Sequence, residues 1–417
     1  MDTGERDSQE EPHPSLLGYP TLVRWYIDTR SLPHQTLPLL ETLRRDDQDS
    51  VTKYMQWPDK HMSLASQLLK YYLIHRATHL PWNKVVIHRT PLPENRPCFH
   101  ANLLGPLVKE VEFNVSHQAS LTMLAGTIVY NNDDDSSHLH LSPASSHQPP
   151  PHPQPKPQIG IDVTCTNEPR RRNNTPQNLR DLSEFVDIFA EVFAATEVQA
   201  MKNPRLTLSK ANSLNRGLTF DSSSEQSLAQ YGLRLFYSFW ALKEAFVKMT
   251  GDALLFPHLR ELEFSDVIPP DPVPVSHSGH HISSTTKSSD YRWSQPYKST
   301  RISLHGKPVT NVRIHLLAFE EDYIVATIGR GAHVGPIPAS AETGNGTENE
   351  HPLLPKEEGV RIDPIEVSAT RKIGDADPWH KGRVLEDSWL PVQEVDIERD
   401  IRSCAEGRCG HSGSVAL

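Results

Sequence analysis

Three stretches of polar, proline-rich sequence interrupt this chain, so its core must be assembled from separate pieces and not from one continuous run. Residues 131–158, NNDDDSSHLHLSPASSHQPPPHPQPKPQ, combine acidic, histidine and proline residues with no hydrophobic period. Such a stretch reads as a linker. A second, at about 268–300, is rich in Pro, Ser and His, and a third begins near Gly335. The expected layout is a disordered start (1–20), an N-terminal α+β subdomain (21–130), the linker (131–158), a C-terminal α+β subdomain (159–334) carrying the 268–300 insertion, and a largely disordered acidic tail (335–417) that docks in part. With 35 prolines and only 36% hydrophobic residues among 417, part of the chain has to lie outside any packed core.

The net charge of −10 argues against a general nucleic-acid binder, which needs a basic footprint. The opening MDTGERDSQEEP lacks the apolar core of a signal peptide, and no run approaches a membrane span. Four cysteines (Cys98, Cys165, Cys404, Cys409) supply no disulfide framework and fit a reducing compartment, so the expected location is the cytoplasm, with no membrane partner. Cys404 and Cys409 with His411 look like half of a metal site, but a structural zinc site takes four ligands and the sequence offers no second half. They are read as part of a flexible tail.

Between the linkers the hydrophobic pattern is clear. Leu64, Leu68, Tyr71 and Tyr72 recur at helical spacing behind Asp59, a candidate cap. VEFNVSH alternates apolar and polar residues and leads into LTMLAGTIVY, which predicts a hairpin. IGIDVT alternates Ile159, Ile161 and Val163 against Gly160, Asp162 and Thr164, which predicts that Asp162 points away from the core. Phe185, Ile188, Phe189, Val192 and Phe193 carry the spacing of a buried helix face, and a longer helix is centred on LRLFYSFWALKEAFVKM. VRIHLLAF and YIVATIG form a last hairpin around the acidic turn Glu320, Glu321, Asp322. Each half thus offers a helix and a hairpin, a duplicated α+β unit.

The long helix carries the most chemistry. Leu235, Phe239, Leu242, Phe246 and Met249 define its core stripe, while Trp240, Glu244 and Lys248 follow one another at one-turn intervals on a different face. A surface ion pair between Glu244 and Lys248 accounts for the spacing without any function. Asp162 alters the weighing, because an acid among strand-forming aliphatics is costly if buried without a partner. Asp162 and Glu244, on a strand and a helix meeting at a cleft, are the minimum oxygen set for Mg²⁺, with water and phosphate completing the octahedron. A capped turn, or pairing with Arg170, explains Asp162 equally well. Ser116 and His117 at a strand end are candidate phosphate donors, and no glycine-rich phosphate loop is present.

Together, FNVSH (Phe113 to His117), GIDV (Gly160 to Val163) and FYSFWALKEAFVKMTGDAL (Phe236 to Leu254) resemble the three ordered signature blocks of the Sfp-type 4′-phosphopantetheinyl transferases, the last block being WxxKEAxxK. RWYIDTR and PLPENRPCF are also similar to that family, and the inserted loops and acidic tail look most like its broad-specificity filamentous-fungal members. The resemblance implies a pseudo-twofold pair of α+β subdomains with coenzyme A in the crevice between them. It implies transfer of the phosphopantetheine arm to a serine of a carrier protein with Mg²⁺, releasing 3′,5′-ADP. Asp162 and Glu244 would be the Mg²⁺ ligands and, with Lys248, the catalytic set. Ser116, His117, Arg96 and Lys60 would contact the nucleotide end, Lys248 and Lys243 would also be coenzyme A contacts, and Lys243 with Trp240 would shape the site.

Bacterial members usually carry a second acid where this chain has Thr164, a poorer Mg²⁺ ligand, so water is expected in its place. The implied carriers are those of fatty-acid synthase, polyketide synthase, peptide synthetase and aminoadipate reductase, and the implied state is a monomer. Two other classes of function compete: a non-catalytic coenzyme A-binding protein that kept the fold, and a scaffold recruiting partners through its Pro-rich runs. Retention of Asp162, Glu244 and Lys248 speaks against the first, and the irregular proline spacing against the second.

Overall fold

A computed structural model describes residues 22–92, 95–100, 110–129, 155–168, 175–213, 220–251, 259–274, 292–331, 334–336 and 389–410. The expected N-terminal stretch and most of the linker and tail lie outside the described residues, as do Arg170 and Trp379.

The first half contains β1 (Leu22–Asp28), α1 (Arg45–Thr52), α2 (Trp57–Thr78), β2 (His88–Arg89), β3 (Pro97–His100) and the hairpin β4 (Glu110–Gln118) and β5 (Leu121–Val129). The second half contains β6 (Gln158–Cys165), α3 (Leu179–Ile188), α4 (Ala195–Lys202), α5 (Pro204–Ser213), α6 (Glu225–Thr250), β7 (Leu262–Ser265), β8 (Arg301–Leu304), β9 (Lys307–Pro308) and the hairpin β10 (Val312–Phe319) and β11 (Tyr323–Arg330). The last elements are β12 (Trp389–Glu394) and α7 (Arg402–Ala405).

One plan is used twice. In the first half β1 lies antiparallel to β5, the second strand of the β4–β5 hairpin; in the second half β6 lies antiparallel to β11, the second strand of the β10–β11 hairpin. A long helix, α2 or α6, follows the opening strand each time. The fold is mixed α+β with a repeated strand–helix–hairpin order, as the alternating and helical periods of the sequence require.

The helices form where their stripes predict. Leu64, Leu68 and Tyr71 of α2 are fully buried, and Asp59 sits in its first turn, where a negative charge suits the helix dipole. The residue preceding that helix is Gln56, whose side chain makes no capping bond, so Asp59 is not the cap. In α6, Ser224 accepts from the Ser227 N–H at the start and Gly251, at φ 83°, ends the helix in the left-handed conformation that glycine tolerates. Leu235, Phe239, Leu242, Phe246 and Met249 are all buried, as expected.

Three expectations change. The aromatic run after Asn178 is not one helix: α3 ends at Ile188, which is 75% exposed, and the chain turns so that Phe185, Phe189 and Phe193 gather around Phe236 instead. The 268–300 insertion is shorter than its composition suggests, since Ile268 and Tyr297 are core residues and Tyr297 bridges to Leu316. The tail docks: β12 pairs parallel to β1, and Trp389, buried, donates to the Val334 carbonyl at 3.1 Å. Trp389, Val395, Ile397 and Ile401, all buried, give that segment enough apolar surface to offset its ordering.

Candidate active site

The site is built on the contact between β6 and α6, and Gly160 sets how close they come. A Cβ at Gly160 would lie 1.8 Å from the Ala245 carbonyl oxygen and 2.7 Å from the Met249 nitrogen. Only glycine lets the helix backbone rest on the strand there. That approach brings Glu244 and Lys248, one turn apart on α6, beside Asp162, two residues along the strand from Gly160.

β6 is an edge strand of its three-stranded sheet, order β10–β11–β6, and its outward amides are received by side chains of the other half. Asn114 Oδ1, Ser116 Oγ and Gln118 Oε1, all from one face of β4, accept from the Ile161, Val163 and Cys165 N–H groups at 3.4, 3.3 and 3.0 Å. The two-residue period of both strands makes the three contacts repeat in step. The face of β4 that carries Ser116 is therefore the seam between the halves, and its edge is covered without a further strand.

At this seam three chemistry-bearing side chains meet. Lys248 Nζ donates to Asp162 Oδ1 at 2.6 Å and to Ser116 Oγ at 2.9 Å, and Ser116 Oγ donates to Asp162 Oδ1 at 2.9 Å. Asp162 is buried, not turned away from the core as its strand alternation predicts, because α6 covers that face of β6. Burial pushes its carboxyl above the usual aspartate range, opposed by the Lys248 charge and by the hydrogen bonds from Lys248, Ser116 and the Val163 amide. Glu244, half-buried, is pushed up to about 7, by burial first and then by the neighbouring Asp162 charge, with Lys248 working the other way. Thr164 is buried on the same face of β6 as Asp162.

His117, next to Ser116 on β4, is exposed and alternates onto the opposite face of the strand, yet surrounding protein lowers its pKa, and the Lys248 and Lys70 charges lower it further. Lys70, on α2, is a charged residue near the site that the sequence pattern does not mark. It is buried, and burial brings its pKa down to about 8, with Asp47 partly restoring it and Arg89 lowering it. Nothing in the α2 pattern marks it, because a lysine on a helix normally reads as a solvated face.

The remaining expected contacts divide. Lys60 is half-buried at the start of α2, its ammonium 4.6 Å from the centre of the Trp57 ring. Arg96 ties the halves together: it pairs with Glu112 at 2.7 Å and donates to the Met249 carbonyl at 3.2 Å. Lys243 does not reach the site. It is buried on another face of α6, pairs with Glu197 at 2.9 Å and donates to the Leu259 and Leu262 carbonyls. Its place as a cofactor contact is thereby corrected: three acceptors inside the second half satisfy its three donors. Trp240, one turn before Glu244, packs with Phe189, Phe193 and Phe236.

Residues 30–129 match the family described as 4′-phosphopantetheinyl transferase, N-terminal, and residues 158–300 match the 4′-phosphopantetheinyl transferase superfamily. The chain is 41% identical over 402 residues to 4′-phosphopantetheinyl transferase A of Aspergillus fumigatus, spanning 94% of this chain and 96% of that protein. It is 40% identical over 400 residues to 4′-phosphopantetheinyl transferase NpgA of Emericella nidulans, with 94% and 96% covered. The L-aminoadipate-semialdehyde dehydrogenase-phosphopantetheinyl transferase of Rattus norvegicus is 24% identical over 237 residues, covering 57% of each chain.

Proposed function

This chain belongs to the 4′-phosphopantetheinyl transferase family and transfers the phosphopantetheine arm of coenzyme A to carrier proteins, and we propose that the seam of β4, β6 and α6 is where it does so. The observation that carries the reading is the mutual hydrogen bonding of Ser116, Asp162 and Lys248, one from each of three separated sequence segments. A binding protein that had lost transfer would have no need to hold a carboxylate and an ammonium together beside a second acid.

Asp162 and Glu244 suit Mg²⁺. Both offer hard oxygen donors, and the Asp162 charge, which adds to burial in raising the pKa of Glu244, is the repulsion a divalent cation would relieve. Asp162 and Glu244 would hold the ion, and two carboxylates would leave room for water and for the diphosphate of coenzyme A. When bound, Mg²⁺ neutralises that diphosphate and lowers the cost of charge moving onto the departing 3′,5′-ADP.

The protein's own groups do the rest. Lys248 supports the bridging oxygen of the diphosphate as the bond to ADP breaks. Ser116 holds Lys248 and Asp162 in register. Glu244, directly or through one water, takes the proton of the carrier serine as that hydroxyl attacks the β-phosphorus. His117, Lys60 and Lys70 face the phosphate of the nucleotide end, and Arg96 keeps the floor of the crevice in place. The enzyme works as a monomer, since its two halves already supply both walls. Its carriers include the aminoadipate-reductase type, which the name of the rat relative supports, beside those of polyketide and peptide synthesis. No described helix is long and apolar enough to cross a membrane, and a cytoplasmic site of action fits its carriers.

The test is intact mass spectrometry of an apo carrier protein incubated with this chain, coenzyme A and Mg²⁺. A gain of one phosphopantetheine that disappears with Glu244→Ala is the expected result. No gain while coenzyme A still binds would favour the non-catalytic reading.

A further inference from the structure

Away from the active site, the docked C-terminal segment meets α2 through three metal-ligating side chains. His75 of α2, Cys404 of α7 and Cys409 place one ligand atom each within 4.8 Å of the others. His75 and Cys404 are buried and Cys409 is half-buried. These positions come from opposite ends of the chain: His75 and Cys409 are 334 residues apart.

The imidazole is oriented as a ligand. His75 Nδ1 lies 2.6 Å from the Leu80 carbonyl, which only accepts, so Nδ1 carries the proton. The neutral ring then aims the Nε2 lone pair at Cys409 Sγ, 3.2 Å away. Donation of the second ring N–H to a backbone carbonyl is the arrangement that fixes tautomer and angle in metal-bound histidines. Trp82 packs edge-on against the ring at 6.1 Å and limits its rotation. The two cysteines have the C-x4-C spacing of one zinc knuckle, closed by a turn in which Gly407 has φ 70°. A third ligand, which no local sequence pattern marks, is supplied by α2.

We infer that His75, Cys404 and Cys409 form a zinc site, two thiolates and one imidazole, that clips the C-terminal segment to α2. In a tetrahedral zinc site the ligand atoms lie roughly 3.5 to 3.8 Å apart, so side-chain adjustments of under about 1 Å complete the geometry. With three protein ligands, a fourth would have to be water. Zn²⁺ replaces the two thiol protons, which leave to solvent, so the filled site carries no net charge and no electrons move. The benefit is topological. β12 must return from a long excursion to pair with β1, and a clip between distant positions offsets much of that closure entropy. Mg²⁺ does not substitute, because it favours oxygen donors.

The experiment titrates Co²⁺ into the reduced full-length protein and follows absorption, since thiolate-to-cobalt charge transfer arises from cysteine ligands and not from the Asp162 and Glu244 carboxylates. The proposal expects that band to saturate at one Co²⁺ per chain, to be abolished by one equivalent of Zn²⁺ and to survive excess Mg²⁺. Cys409→Ser and His75→Gln should each weaken Co²⁺ binding by more than about 100-fold, beyond what loss of an outer hydrogen bond costs. Zinc should raise the melting temperature of the wild type and not of Cys409→Ser. Absence of the band in the wild type would leave two protonated thiols packed against α2 and overturn the proposal. So would a band unchanged in Cys404→Ser/Cys409→Ser, or a Cys404–Cys409 disulfide as the form isolated without reductant.

Discussion

Lys248 Nζ donates to Asp162 Oδ1 at 2.6 Å across the contact between α6 and β6. The aspartate is buried while the lysine side chain is 29% exposed, so the ammonium is the face of this pair that a ligand meets. An incoming diphosphate can bind Lys248 without first exposing Asp162.

If Lys248 supports the leaving group as proposed, Lys248→Met should lower kcat by about 100-fold or more. It also strips a buried carboxylate of its counter-charge, which should cost about 1 to 3 kcal/mol of stability. Adding Asp162→Asn should recover much of the stability and none of the activity. Thermal melts and the carrier-modification assay on the four-member cycle separate the two effects. Equal loss of both on adding Asp162→Asn would contradict the pairing.

Gly160→Ala tests the close approach. The added methyl would overlap the Ala245 carbonyl oxygen, a backbone atom that cannot rotate aside. Helix and strand must separate, and the expected cost is about 3 kcal/mol or more, at the upper end for overpacking. The surviving folded fraction should also turn over more slowly, since Glu244 and Lys248 move with the helix. A melting temperature within a degree of wild type would show that α6 adapts freely.

That glycine also shows what the sequence can and cannot disclose. The α6 stripe, both hairpins and the motif residues Asp162, Glu244 and Lys248 were legible because periodicity and residue type are local. Asn114 and Gln118 were not, since their partners are amides of a strand in the other half, and no local pattern marks a side chain that covers a distant edge. Lys243 misled for the complementary reason. It stands next to Glu244 in sequence, but one residue along a helix is about 100° around it, and Lys243 turns into the core of the second half. The docking of Trp389 onto β1 was visible only as an unusual tryptophan in an acidic tail.

Lys70 should carry opposite effects on stability and binding. Its folded pKa, about 8, lies below its ordinary 10.5, mainly through burial. Below pH 8 both folded and unfolded forms are protonated and the full penalty is present, up to about 3 kcal/mol. Between 8 and 10.5 the folded form has lost its proton and the unfolded form has not, so wild-type stability rises with pH relative to a neutral variant. Lys70→Met should therefore melt higher than wild type at pH 7, with the gap closing toward pH 10. If Lys70 binds phosphate, the same variant raises KM for coenzyme A several-fold. Higher stability with an unchanged KM would remove Lys70 from the site.

Metal removal should expose the strain between the acids. Chelation is expected to stop transfer, and Mg²⁺ to restore it. Glu244→Gln should lose kcat by about 100-fold or more at saturating Mg²⁺. Without Mg²⁺ at pH 8 it should melt no lower than wild type, because burial and the Asp162 charge both disfavour the Glu244 carboxylate. Here the folded pKa, about 7, lies above the ordinary 4.5, so the penalty grows from pH 4.5 to 7 and is fully present above that. A large drop in melting temperature would instead mark Glu244 as a structural partner.

Lys243 and Glu197 give the control for all of these. Their side chains are 2% and 0% exposed, and Glu197 also accepts from the Ala194 and Phe264 N–H groups at 2.8 and 2.7 Å. Burial raises the pKa of Glu197 and lowers that of Lys243, each opposed by its partner, so the pair holds only while both members are present. Lys243→Met should cost about 3 to 5 kcal/mol, the penalty of stranding a buried charge, and lower the melting temperature steeply. Replacing both, as Lys243→Met/Glu197→Gln, should cost less than Lys243→Met alone. Assayed well below its melting point, the double variant should keep the wild-type KM for coenzyme A, because neither side chain faces the crevice. A KM raised tenfold in a fully folded double variant would return Lys243 to the binding site and require α6 to rotate from the orientation seen here.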